Sequence, residues 1–237
     1  MAGAAKTMVR AWDWPTRAFH WLLVAGILSA WLSHQFAAKL NDPTLIWHRW
    51  NGYFVLVLVV FRVLWGFFGS STARFSTFVR GPVFVLRYLA DGLKGRKRPF
   101  LSHNPLGTGM ILLLLAAVFV QATLGLFTLE HNEIVAGPLK RHLSDESTAF
   151  VSKLHIQGLN VIFVLIAVHV CANAFYGMFT GEPLIQAMVT GEKPQADYED
   201  AREAVIADNV TLRACLTFLA AIALVFGGIL ALGGRIW

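Results

Sequence analysis

The sequence predicts an all-α membrane protein, a four-helix transmembrane bundle followed by a fifth, C-terminal transmembrane helix. Three observations point there. The 237 residues are 56% hydrophobic and only 14% charged, with a mean hydropathy of +0.58, which is more apolar surface than a soluble domain of this size needs. The apolar residues fall into five blocks, near 18–34, 47–69, 106–127, 153–177 and 210–233, each close to the ~20 residues that cross a bilayer. The fourth block, KLHIQGLNVIFVLIAVHVCANAFY, carries His155 and His169 fourteen residues apart.

That spacing is four turns at the 3.5 residues per turn of a supercoiled bundle. It puts both imidazoles on nearly the same helix face, about 21 Å apart along the axis at 1.5 Å per residue. Ionisable side chains are costly in hydrocarbon, so two in register imply two buried partners at two depths. Haem iron suits paired, neutral imidazoles in a membrane bundle. The spacing therefore points to a bundle of membrane helices holding two haems at two depths.

The first block begins after VRAWDWPTRAFHW. Pro15 fits the opening turn of a helix and Asp13 its N-cap. Trp12, Trp14 and Trp21 sit where an interfacial belt is expected. The block carries Trp, His and Arg, and no A-x-A site follows, so it does not read as a cleaved signal peptide. Between the second and third blocks lie seven basic residues, Arg74, Arg80, Arg87, Lys94, Arg96, Lys97 and Arg98, against one acid, Asp91. The loop between the first two blocks has only Lys39 and Asp42. By the positive-inside rule the N-terminus and the basic loop face the cytoplasm. The net charge of +6 is mostly this topology signal, so nucleic-acid binding is not expected. Within the basic loop, FVLRYLADGLKG has the spacing of an interfacial amphipathic helix.

Cys171 and Cys215 lie in apolar blocks with no CxxCH, which excludes c-type haem attachment. They read as free, buried cysteines. After the fourth block, PQADYEDAREAVIADN is acidic, helix-prone and assigned to the cytoplasm. The fifth block has no histidine. Its small residues Gly227, Gly228, Gly233 and Gly234 are of the type that lets helices approach, with a partner or a second copy as the candidate.

A six-coordinate pair of sites needs four of the eight histidines. The topology sets His20 at the depth of His169 and His48 at the depth of His155, which gives the pairs His20–His169 and His48–His155. His34, fourteen residues past His20, is an alternative to His48 that spacing alone leaves open. His48 is followed by Gly52 and His155 by Gly158, and small residues there leave room for a flat macrocycle. His131 and His142 read as interfacial or capping side chains. Arg62 lies fourteen residues past His48 on the same face, and Arg17 one turn before His20. Either guanidinium is a candidate for haem propionates, with snorkelling to the surface as its alternative. Trp65, Phe67 and Phe68 read as anchors and core.

WDWPTRAFHW, IWHRWNGYFVLVLVVFRVLWGFFG, SHNPLG and LH-x13-H, in that order, resemble the bacterial cytochrome b561 and nickel–iron hydrogenase b-type cytochrome family. The likeness runs from about Val9 to the AMVTGEK motif ending at Lys193. It implies four transmembrane helices, two b haems, and His20, His48, His155 and His169 as ligands, which decides against His34. His103 of SHNPLG has no ligand role in that family. Residues 1–193 are then the diheme domain, and 194–237 an acidic cytoplasmic segment with an extra transmembrane helix.

The function expected is electron transfer across the bacterial inner membrane, between quinone or quinol and a periplasmic partner, either a c-type cytochrome or a hydrogenase-like subunit. Bis-histidine ligation leaves no open position for oxygen chemistry. Quinone oxidoreductase activity is a candidate enzyme function, with Arg17, His103 and Asn104 as candidate quinone contacts. A haem-containing membrane anchor or assembly subunit is the alternative. A metal-ion transporter is disfavoured because the spans lack interior Asp and Glu.

Overall fold

The computed structural model describes residues 7–96, 99–129, 135–201 and 204–236. Its helices are α1 (Trp14–Gln35), α2 (Ile46–Phe68), α3 (Phe75–Phe78), α4 (Pro82–Leu93), α5 (Pro105–Gly125), α6 (Asp145–Phe175), α7 (Leu184–Thr190) and α8 (Val210–Ala231). Helix α6 runs on through a π-helical turn, Tyr176–Thr180. Two short strands, β1 (Met8–Arg10) and β2 (Glu192–Pro194), pair antiparallel with Val9 opposite Lys193.

Among the described residues, four helices are long and apolar enough to cross a bilayer: Ile46–Phe68, Pro105–Gly125, Asp145–Thr180 and Val210–Ala231. Five were expected. Helix α1 has the length, 22 residues, but His20, His34 and Gln35 dilute its hydrocarbon and it falls outside the set. Helix α4 bears out the interfacial reading in shape. Val83, Leu86, Leu89 and Leu93 form an exposed apolar stripe at helical spacing.

The chain forms two compact units, each drawn from three segments. One comprises Phe19–Val63, Leu113–Ile166 and Cys215–Trp237. Its core is Val55 and Val59 of α2, Val118 of α5 and Ile162 of α6, joined by Leu23 and Ile27 of α1. Four helices therefore meet in one apolar centre. Helix α8 adds Phe226 against Trp50 and Tyr53, and Phe218 against Phe61. Asp42 starts α2 by accepting from the backbone N–H of Ile46 and Trp47, both at 2.9 Å.

The other unit comprises Met1–Ala18, Leu64–Leu112 and Ala167–Ala214. It is held by buried polar groups. Asp13 caps α1 as expected, taking the Thr16 N–H at 2.9 Å, and also accepts from the Trp65 indole at 3.2 Å. Asp200 accepts from the backbone N–H groups of Leu101 and Ser102, at 2.6 and 2.9 Å, and from the Ser102 hydroxyl. Ser71 exchanges hydrogen bonds with the Val205 backbone. Lys193, 1% exposed, donates to the Phe100 carbonyl at 2.9 Å.

Several expectations are corrected by these contacts. Trp12 is buried at 4% exposure against Ala11, Leu101 and Ala187 rather than standing in an interfacial belt; Trp14 and Trp21 are exposed. Cys171 and Cys215 are exposed on the helix surfaces, because the lipid face of a membrane helix is outward. The described part of the acidic stretch, 194–201 and 204–209, carries no named helix, and only Pro194, the end of β2, belongs to a strand. Asp200 spends its carboxylate on a neighbouring loop instead of a solvated helix face, and Asn209 adopts a positive φ of 51°. Gly233 and Gly234 end α8 in a Schellman arrangement, donating to Leu230 and Ile229 carbonyls at 2.7 and 2.8 Å. Only Gly227 and Gly228 of the small-residue set have open space where a Cβ would stand.

Candidate functional site

The unit that holds the four-helix core also holds His20, His34, His48 and His155. His48 stands in the first turn of α2 and His155 in α6, with ring centroids 6.1 Å apart and planes at 83°. A metal sits about 2.0–2.1 Å from a ligating histidine nitrogen. Adding roughly 1 Å from each nitrogen to its ring centre, two axial imidazoles stand about 6 Å apart. The His48–His155 separation fits that span. His34 and His48 centroids are 5.2 Å apart, short of the span for two imidazoles on opposite sides of one iron.

The ring nitrogens are set by the backbone. His48 Nδ1 donates to the Ala30 carbonyl at 2.8 Å, and His155 Nδ1 donates to the Gln121 carbonyl at 3.0 Å. A carbonyl can only accept, so each neutral ring carries its lone pair on Nε2. This is how protein fixes the tautomer and orientation of a metal-ligating histidine. The Ala30 oxygen also takes the Ser33 hydroxyl at 3.0 Å, and Asn51 donates to Ser33 at 3.3 Å.

Helix α5 shapes the His155 side. Gln121 Nε2 donates to the His155 carbonyl at 2.7 Å. A Cβ on Gly125 would stand 3.0 Å from His155 Cε1, and one on Gly158 would overlap the Gln121 side-chain oxygen. Gly158 thus makes room for Gln121. Gly52 faces open space, with no heavy atom within 4 Å of where its Cβ would be.

The remaining candidates are placed as follows. His20 is half-buried in α1, its ring edge-on to Trp21 at 4.9 Å. Arg62 is 3% exposed, buried rather than snorkelling. His169 lies in the other unit, where Asn173, one turn on, donates to its carbonyl at 2.7 Å and lies 3.4 Å from its Nε2. Arg17 donates to the Val189 carbonyl at 2.6 Å, tying down the last turn of α7. His103 packs between Trp12 and Phe78, at centroid distances of 4.4 and 5.0 Å. Asn104 starts α5 by accepting the Gly107 N–H at 2.7 Å. His142 caps α8, its Nε2 donating to the Leu232 carbonyl at 2.8 Å, as expected of it. His131 falls outside the described residues.

Gln121 and Asn173 were missed by sequence reasoning. Each is an amide in an otherwise apolar helix, and a polar side chain at that depth needs a partner. That signal was available.

Residues 11–191 match the family model for prokaryotic cytochrome b561. No curated protein matches the chain.

Proposed function

The chain belongs to the prokaryotic cytochrome b561 family, membrane b-type cytochromes of electron transfer, and from that premise we propose a diheme relay between the quinone pool and a periplasmic partner. The observation that carries it is the His48–His155 pair, with its 6.1 Å separation and both Nδ1 atoms on backbone carbonyls. A haem iron supplies one-electron exchange when bound. What the chain supplies is two neutral imidazoles whose Nε2 lone pairs are ready, held by α1 and α5 carbonyls that carry no charge. Because those carbonyls belong to helix backbones, they hold the two rings in fixed orientations.

His20 and His169 are the other two ligand candidates in this reading, and the four lie before residue 193. Residues 194–237 then carry packing and association. The N-terminus faces the cytoplasm of the inner membrane on the strength of the basic loop, of which Lys97 and Arg98 lie outside the described residues. Gly52 supports the reading as open room beside His48. Arg62, buried and fourteen residues from His48, is the cation for a haem propionate. Arg17 is committed to Val189, which leaves its remaining guanidinium N–H groups for that role.

The purified protein should contain two non-covalent b haems per chain with low-spin spectra. One haem per chain, or covalent haem, contradicts the proposal. Arg62→Leu should lower one midpoint potential, since removing a nearby cation favours the oxidised form; an unchanged redox titration refutes its propionate role.

A further inference from the structure

Away from the histidines, the same unit has a cavity of about 340 Å³ lined by Arg49, Arg141 and Arg235, with Ala136, Gly137, Pro138 and Gly233. We propose that it binds a phosphate-bearing anion, supplied either by the headgroup of an anionic phospholipid or by free phosphate.

The three guanidiniums come from three separate stretches of chain. Arg49 is in the first turn of α2, Arg141 in the helical turn Lys140–His142, and Arg235 follows α8. Their convergence is built, not incidental. Arg141 donates from Nη2 to the Leu232 carbonyl at 2.9 Å. Gly233, with φ of 71°, is required there, because any Cβ would overlap the Arg141 guanidinium. Lys140 pairs with Asp145 at 2.9 Å and pins the turn that presents Arg141. Holding three like charges around one cavity is unfavourable unless an anion offsets them.

Guanidinium forks match phosphate oxygens better than any other side chain does. The volume is at the lower end of the roughly 300–1,000 Å³ of small-ligand pockets, enough for a phosphate with its ester substituents. Trp47 and Trp50, on either side of Arg49 in sequence, are 61% and 47% exposed. Indole rings exposed at a helix end mark headgroup depth, which is where a phospholipid offers its phosphate. The histidine reading plays no part in this argument.

The test uses full-length, haem-loaded protein in neutral detergent. Native mass spectrometry compares retention of phosphatidylglycerol with phosphatidylcholine, and calorimetry titrates inorganic phosphate alone. The variant is Arg49→Gln with Arg235→Gln; Arg141 is spared because it caps α8. An unchanged haem spectrum reports that the variant is folded, and Arg49→Lys with Arg235→Lys provides a charge-retaining companion. Selective retention of phosphatidylglycerol, weakened about tenfold or more in the glutamine variant, supports the site with a lipid source. Phosphate binding with the same loss supports it with a free source. Equal retention of both lipids with no phosphate binding overturns the proposal, and so does undiminished binding in the glutamine variant.

Discussion

The two compact units solve the problem of buried polar groups in different ways. In the unit with the four-helix core, the Nδ1 atoms of His48 and His155 each donate to a backbone carbonyl, and the Gln121 amide donates to the His155 backbone carbonyl. In the other, the ionisable side chains of Asp13, Lys193 and Asp200 are buried against loops and helix starts. The contrast teaches what each unit is for. Neutral imidazoles oriented by uncharged dipoles can serve a cofactor whose own charge changes. These side chains fix chain geometry: Asp200 collects three donors from Leu101 and Ser102, Asp13 takes the Thr16 N–H and the Trp65 indole, and Lys193 donates to the Phe100 carbonyl.

The sharpest way to break this contrast is to disturb the imidazole pair without removing it. Gly125→Leu puts a side chain against His155 Cε1, where even a Cβ would be at 3.0 Å. The variant should lose half of its haem while the remaining half keeps its spectrum, read by pyridine haemochrome assay. Full haem content would mean that the His155 ring does not depend on the α5 contact.

Next in size is Asp200→Ala. It leaves the Leu101 and Ser102 N–H groups without their acceptor, at a cost of about 3 kcal/mol. Thermal unfolding should show the loss, while the haem-to-protein ratio of folded material stays unchanged. Equal stability would remove Asp200 from the scaffold.

The smallest effect concerns pH. Burial lowers the Lys193 pKa from the ordinary lysine value, against Glu182 and Asp200, which raise it. The unfolded chain then holds the proton to higher pH than the folded one, so stability rises with pH between the lowered folded value and 10.5. Burial also raises the Glu182 pKa, with Lys193 opposing, and that contribution is lost as pH rises through its folded value. Lys193→Met should flatten the rise in melting temperature on the acid side of pH 10.5. An identical slope in the variant would contradict the linkage.

Much of this was legible because it is local. The Asp13 cap, the interfacial stripe of α4 and the capping role of His142 follow from short-range pattern. The fourteen-residue spacing of His155 and His169 is likewise a helix property. Other features depend on distant chain segments. Nothing near Asp200 in sequence indicates that Leu101 and Ser102 are its partners, and nothing near Arg49 points to Arg141 and Arg235. Cys171 and Cys215 were misread because apolar surroundings mean burial in water but exposure in lipid. Trp12 was misread because an aromatic at a membrane helix start serves equally as anchor or as core.

The central claim is that His48 and His155 share one haem iron. The measurement is haem content per chain for His48→Ala, His155→Ala, the double variant and His34→Ala. Each single variant at the pair should lose one haem, the same one by potential and spectrum, and the double variant should lose no more. His34→Ala should keep both. Retention of both haems in His48→Ala together with loss in His34→Ala would contradict the account and transfer the ligand to α1.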